Sequence, residues 1–176
     1  MDTIKAAIFD LDGTLVDSMW VWERIDMEFL KKRGYTVPEN LKDNITHLSF
    51  KQVAQYFKTT FSIDDSVEAI MDEWHEMAYN EYSNNVFLKE GAMEYLHSLK
   101  KAGIKIALAT SNSKPLLEAT LKNNGIYDLF DSITVTDEVK KGKDNPDIYL
   151  LAAEKLNVNP VNCMVYEDIV AAVGGA

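Results

Sequence analysis

The strongest constraint on the fold is an alternation. Four runs of strand length, "IKAAIF" (4–9), "IKIALAT" (104–110), "SITVT" (132–136) and "CMVYED" (163–168), are set among stretches with helical spacing. Helical stretches at 91–102, 113–125 and 146–157 precede the second, third and fourth runs. Such alternation predicts a parallel sheet of βα units, the α/β class. The interval after the first run is different. Residues 18–33, 49–61 and 64–83 all read as helix, and no strand interrupts them. Trp22, Ile25, Phe29 and Leu30 share one face of the first; Val67, Ile70, Met71, Trp74 and Met77 share one face of the third. Ser18, Ser49 and Asp64 or Asp65 are the expected N-caps. The expected organisation is an α/β core of residues 1–16 and 87–176, interrupted by a helical cap at 17–86.

Composition narrows the partners. The chain of 176 residues carries a net charge of −10, which disfavours nucleic acid and anionic membrane surfaces. Its longest apolar runs fall far short of the ~20 residues that span a bilayer. The one cysteine, Cys163, permits no internal disulfide and is expected to be a small buried apolar residue. A cytoplasmic monomer without a signal peptide is expected.

In an open parallel sheet, ligands bind beyond the carboxyl ends of the strands. The polar residues fall there. Asp10 and Asp12 follow the first run, and Thr110, Ser111 and Asn112 end the second. Lys140, Lys141 and Lys143 follow the third, and Glu167 and Asp168 end the fourth. Asp10, Glu167 and Asp168 make an oxygen-rich set suited to Mg²⁺, with a phosphate on the other side of the ion. Asp10 would be the nucleophile toward phosphorus, and Asp12 the proton donor and acceptor. Gly13 permits a tight turn that brings backbone N–H groups near a phosphate. Thr110 would hold a phosphoryl oxygen, and Lys143 would neutralise charge on nucleophile and phosphoryl group. Lys140 and Lys141 read as solvated loop charges.

"DLDGT", "ATSN", "KKGKDNPDIY" and "VYED", each after a predicted strand, resemble the four ordered motifs of the haloacid dehalogenase superfamily. The helical insert after the first motif is similar to the C1 cap of its β-phosphoglucomutase-like and phosphoglycolate phosphatase-like members. The resemblance implies a Rossmann-like core and a Mg²⁺-dependent phosphatase acting on a small phosphorylated metabolite through an aspartyl-phosphate. Asp10 matches the nucleophile and a metal ligand; Asp12 matches the general acid/base, with its carbonyl on the metal. Thr110, Ser111 and Asn112, with Gly13 and Lys143, match the phosphate-binding positions, and Glu167 and Asp168 the acidic metal pair. Trp20, Trp22 and Trp74 read as cap core at helical spacing and His75 as solvated; Trp22, with His47 and Lys51, is also a candidate cap contact to substrate. The mutases of this family carry histidine and arginine where Trp22 and Phe50 stand here, which favours hydrolysis over phosphoryl transfer. The family pattern continues past the acidic pair with another strand and helix. A shortened form, with an open edge beside the last strand and a phospho-ligand-binding role, is therefore a further expectation.

Overall fold

The computed structural model describes residues 4–46 and 48–176, so the expected cap contact His47 lies outside the described residues. The chain divides into two compact units, Met1–Ser18 with Tyr82–Ala176, and Met19–Glu81.

The first unit is built on strands β1 (Ala6–Phe9), β2 (Lys105–Thr110), β3 (Ser132–Val135) and β4 (Cys163–Tyr166). They form one parallel sheet in the order β3-β2-β1-β4. The register pairs Phe9 with Leu108 and with Tyr166, so β1 and β4 end at one level, while β2 runs on to Thr110, paired with Val135 at the end of β3. Both faces of β1 are buried, which is why it reads as an unbroken apolar run. On one face, Ala6, Ile8, Ala107 and Ala109 pack under Ile148, Tyr149 and Ala152 of helix α7 (Asp147–Lys155) and under Leu156 at its C-terminal end. The small alanines let that helix approach closely. On the other face, Phe9 stacks on Tyr166 at 4.5 Å and meets Tyr95 of α5 (Ala92–Lys101) edge-on at 6.2 Å. Helix α6 (Lys114–Asn123) and a final short helix, α8 (Val170–Gly175), complete the unit. Cys163 is only half-buried, because it stands at the start of the edge strand β4.

The second unit holds α1 (Val21–Lys32), α2 (Leu41–Ile45), α3 (Phe50–Thr60) and the greater part of α4 (Val67–Asn84). Its core is aromatic. Phe29, Phe57 and Trp74 meet edge to face at centroid distances of 5.0 to 6.0 Å, the arrangement ring quadrupoles favour. Ser49 caps α3 as expected, in a capping box with Gln52. Two other caps differ from expectation. Ser66, not Asp64 or Asp65, accepts from the Ala69 N–H at the start of α4. Helix α1 begins only at Val21, with no side-chain cap, because the Ser18 hydroxyl is bonded elsewhere. The later start also turns Val21 inward while Trp22 stays 37% exposed, so Trp22 is not core. Trp74 is fully buried as expected, Trp20 half-buried and His75 exposed.

Candidate active site

Asp10 follows the last residue of β1, and its N–H donates to the Tyr166 carbonyl at 3.0 Å. The sheet therefore continues one bond further and fixes the Asp10 backbone. Its side chain is buried, and Lys143 Nζ lies 2.5 Å from Oδ1. Lys143 also pairs with Glu167, whose side chain is 1% exposed. One ammonium thus stands between two buried carboxylates. Burial is the main influence on Asp10 and pushes its carboxyl up to about 6; Lys143 pulls the other way, and the Glu167 charge adds to the rise. Tyr149 donates to Glu167 Oε1 at 2.8 Å, while Oε2 is buried without a hydrogen-bond partner. Asp168, one residue on, is exposed. Carboxylate oxygens of Asp10, Glu167 and Asp168 lie within 4.8 Å of one another.

Lys143 is held from behind. Gly175 of α8 packs on the backbone of residues 143–145, and a Cβ there would stand against the Lys143 carbonyl and 2.8 Å from Asn145 N. Only glycine allows that approach.

Asp12 is turned back by Gly13, which adopts φ +84° and donates its N–H to the Val16 carbonyl at 3.0 Å. The tight turn expected at Gly13 is present, and the Gly13 N–H itself is used inside it. Lys89 Nζ donates to the Gly13 carbonyl and braces the turn. The Asp12 carboxylate accepts from Ser18 Oγ and Tyr82 Oη at Oδ1, both at 2.6 Å, and from Asn112 Nδ2 at Oδ2, at 2.8 Å. Burial and the adjoining Asp12 charge push the Tyr82 phenol well above its ordinary value, so it remains a donor. Thr110 is buried at the end of β2, and its Oγ1 accepts from the Asn112 N–H at 3.0 Å. Ser111, Lys140 and Lys141 are exposed.

The structure thus brings Asp10, Lys143 and Glu167 into direct contact, sets Asp168 beside them, and ties Asp12 to Asn112. In the other unit, Trp22 contacts Phe50 at 5.4 Å and lines a cavity of about 250 Å³ with Met19, Asp26 and Leu41. Lys51 is exposed there, 3.8 Å from Glu68. Sequence reasoning missed Ser18, Tyr82, Tyr149 and Lys89. Ser18 reads as a helix cap, and tyrosines at helical spacing read as core; nothing local in the sequence marks their hydroxyls as partners of carboxylates.

The model of the family described as "Hydrolase: haloacid dehalogenase-like hydrolase" matches residues 4–176. The "Phosphorylated carbohydrates phosphatase" of Thermotoga maritima is 31% identical over 173 residues, covering 98% of this chain and 80% of that protein. "Hexitol phosphatase A" of Escherichia coli K12 is 34% identical over 170 residues, covering 96% of this chain and 76% of its own. A crystal structure of a Thermotoga maritima protein, provisionally named a β-phosphoglucomutase, is similar with a TM-score of 0.89 at 30% identity, over 98% of this chain and 80% of that one. A sheet that delivers its acidic residues to one edge, and a match along the whole described chain, have one reading: this protein belongs to the haloacid dehalogenase-like hydrolase family.

Proposed function

We propose that this chain is a Mg²⁺-dependent phosphatase of a small phosphorylated carbohydrate or similar metabolite, working through a phosphoenzyme on Asp10. One observation carries the reading: Lys143 bridges the buried carboxylates of Asp10 and Glu167 while Asp12, two residues on, is held by its own set of donors. Relatives named as phosphatases of phosphorylated carbohydrates and hexitols support the substrate class.

The donor set fits a hard cation. It offers three carboxylate oxygens, one each from Asp10, Glu167 and Asp168, and Glu167 Oε2 is buried without a hydrogen-bond partner. Asp10, Glu167 and Asp168 would hold the ion, together with the Asp12 carbonyl. When bound, Mg²⁺ supplies positive charge that lets an anionic carboxylate and an anionic phosphoryl group approach.

The chain's own residues account for the rest. An Asp10 carboxylate oxygen attacks phosphorus and the ester P–O bond breaks. Asp12 gives its proton to the departing oxygen. Water then attacks the phosphorus of the aspartyl-phosphate, its proton passes to Asp12, the Asp10–phosphorus bond breaks, and inorganic phosphate leaves. Lys143 stabilises the negative charge on Asp10 before attack and on the phosphoryl oxygens during it. Thr110 and Ser111, at the end of β2, would contact the phosphoryl oxygens.

The test is hydrolysis of p-nitrophenyl phosphate and a panel of sugar and polyol phosphates with Mg²⁺, with and without Asp10→Asn. Mg²⁺-dependent release of phosphate that vanishes in the variant is expected; turnover that survives the substitution overturns the reading. Conversion of β-glucose 1-phosphate in the presence of the bisphosphate, without net phosphate release, would instead identify a phosphoryl transferase. Calorimetric binding with no turnover would identify a ligand-binding protein.

A further inference from the structure

The hydrogen bonds around Asp12 involve residues that the proposed chemistry does not yet use. Ser18 and Tyr82 are 3% and 2% exposed, and both hydroxyls reach the same oxygen, Oδ1, at 2.6 Å. Burying a hydroxyl costs free energy unless it is bonded, and a phenylalanine would fill the same space as Tyr82 without that cost. Core packing therefore explains the ring but not the oxygen. The two residues also share a place in the chain. Ser18 is the last residue of its unit before Met19, and Tyr82 is the first after Glu81. Tyr82 is fixed at its backbone too, where the buried Thr120 hydroxyl donates to its carbonyl at 2.9 Å. On the other side, Asn112 holds Oδ2 at 2.8 Å, and the Asn112 backbone is itself bonded to Thr110.

We infer that Tyr82 and Ser18 are positioning residues: their hydroxyls, at the two points where the chain leaves and re-enters the sheet-bearing unit, hold Asp12 in the single orientation its proton transfer needs. The inference rests on the reading of Asp12 as general acid/base. A carboxyl group shares a proton with a leaving oxygen only within a narrow range of distance and angle. A free aspartate has a broad choice of side-chain torsion, and donors on both of its oxygens remove that choice. Neither Tyr82 nor Ser18 needs to touch substrate for this.

The experiment compares Tyr82→Phe, Ser18→Ala and the double variant with wild type, using an alkyl phosphate from the panel that wild type hydrolyses and p-nitrophenyl phosphate. An alkoxide is a poor leaving group and depends on the proton from Asp12; p-nitrophenolate leaves with little help. Tyr82→Phe is expected to lower kcat/KM for the alkyl phosphate by about tenfold or more beyond its effect on p-nitrophenyl phosphate, with the larger part in kcat. A crystal structure of the double variant is expected to show Asp12 turned away from Asn112 or in two orientations. Equal losses on both substrates, or an unmoved Asp12 in the double variant, overturn the inference, because a merely structural role predicts those results. Asp12→Asn separates the two readings. If it leaves alkyl phosphate hydrolysis intact, the acid/base reading fails and the inference with it; if it is inactive while the Tyr82 variant shows no leaving-group dependence, only the inference fails.

Discussion

Lys143 Nζ stands 2.5 Å from Asp10 Oδ1 and also pairs with Glu167, so a single cation offsets two buried carboxylates. Removing it leaves like charges facing each other out of water. Lys143→Met is expected to lower kcat by at least about a hundredfold and to destabilise the metal-free chain by about 3 kcal/mol. Steady-state kinetics and urea denaturation read the two effects separately.

Asp10 itself carries a stability cost. Its folded value, raised from 3.8 to about 6, means that the charged form is disfavoured on folding. In the metal-free chain this contribution is most favourable below about 3.8 and is lost as pH rises through about 6. Asp10→Asn is therefore expected to abolish turnover, to raise the melting temperature at neutral pH in chelator, and to remove that segment of the pH dependence. The gain is on the order of 1–3 kcal/mol. Thermal denaturation of both forms between pH 4 and pH 7 checks the sign.

The acidic trio should control the metal requirement. Chelation is expected to stop phosphate release, and Mg²⁺ to restore it. Asp168→Asn keeps Asp10, Lys143 and Glu167 in place but removes one carboxylate oxygen of the set. It is expected to raise the Mg²⁺ concentration for half-maximal activity by about tenfold or more, read from Mg²⁺ titrations of the rate.

In the helical unit, Arg33 holds Glu73 at 2.6 Å and Asp65 at 2.8 Å, with its guanidinium over the Phe29 ring at 3.8 Å. The bond from Arg33 is the largest influence on Glu73 and brings its carboxyl down to about 2. A lowered carboxylate value gives stability that is present above about 4.5 and is lost as pH falls to about 2. Glu73→Gln is expected to destabilise this unit by about 1 kcal/mol at pH 7, a difference that shrinks to nothing near pH 2. Circular dichroism melts of both proteins across that range measure it.

The fold class was legible because its signals are local. An apolar run such as Ala6–Phe9 can be buried on both faces only in a parallel sheet covered by helices, and the alternation with helical stretches says the same. Asp10, Thr110, Lys143 and Glu167 were legible for a related reason: each ends or comes after a strand, and parallel strands of matched register carry their C-terminal residues to one edge. Helix starts were less so. Ser18 looks like a cap from its neighbours alone, and only the turn at Gly13 brings Asp12 close enough to claim its hydroxyl. Tyr82 reaches Asp12 across 70 residues and Tyr149 reaches Glu167 across 18, and no periodicity encodes such pairs. The sequence by itself determined which carboxylates stand at the sheet edge, since strand ends are set by patterning. Tertiary structure alone decided which hydroxyls and which ammonium meet them, because hydrogen-bond partners are chosen by distance in space and not by spacing along the chain.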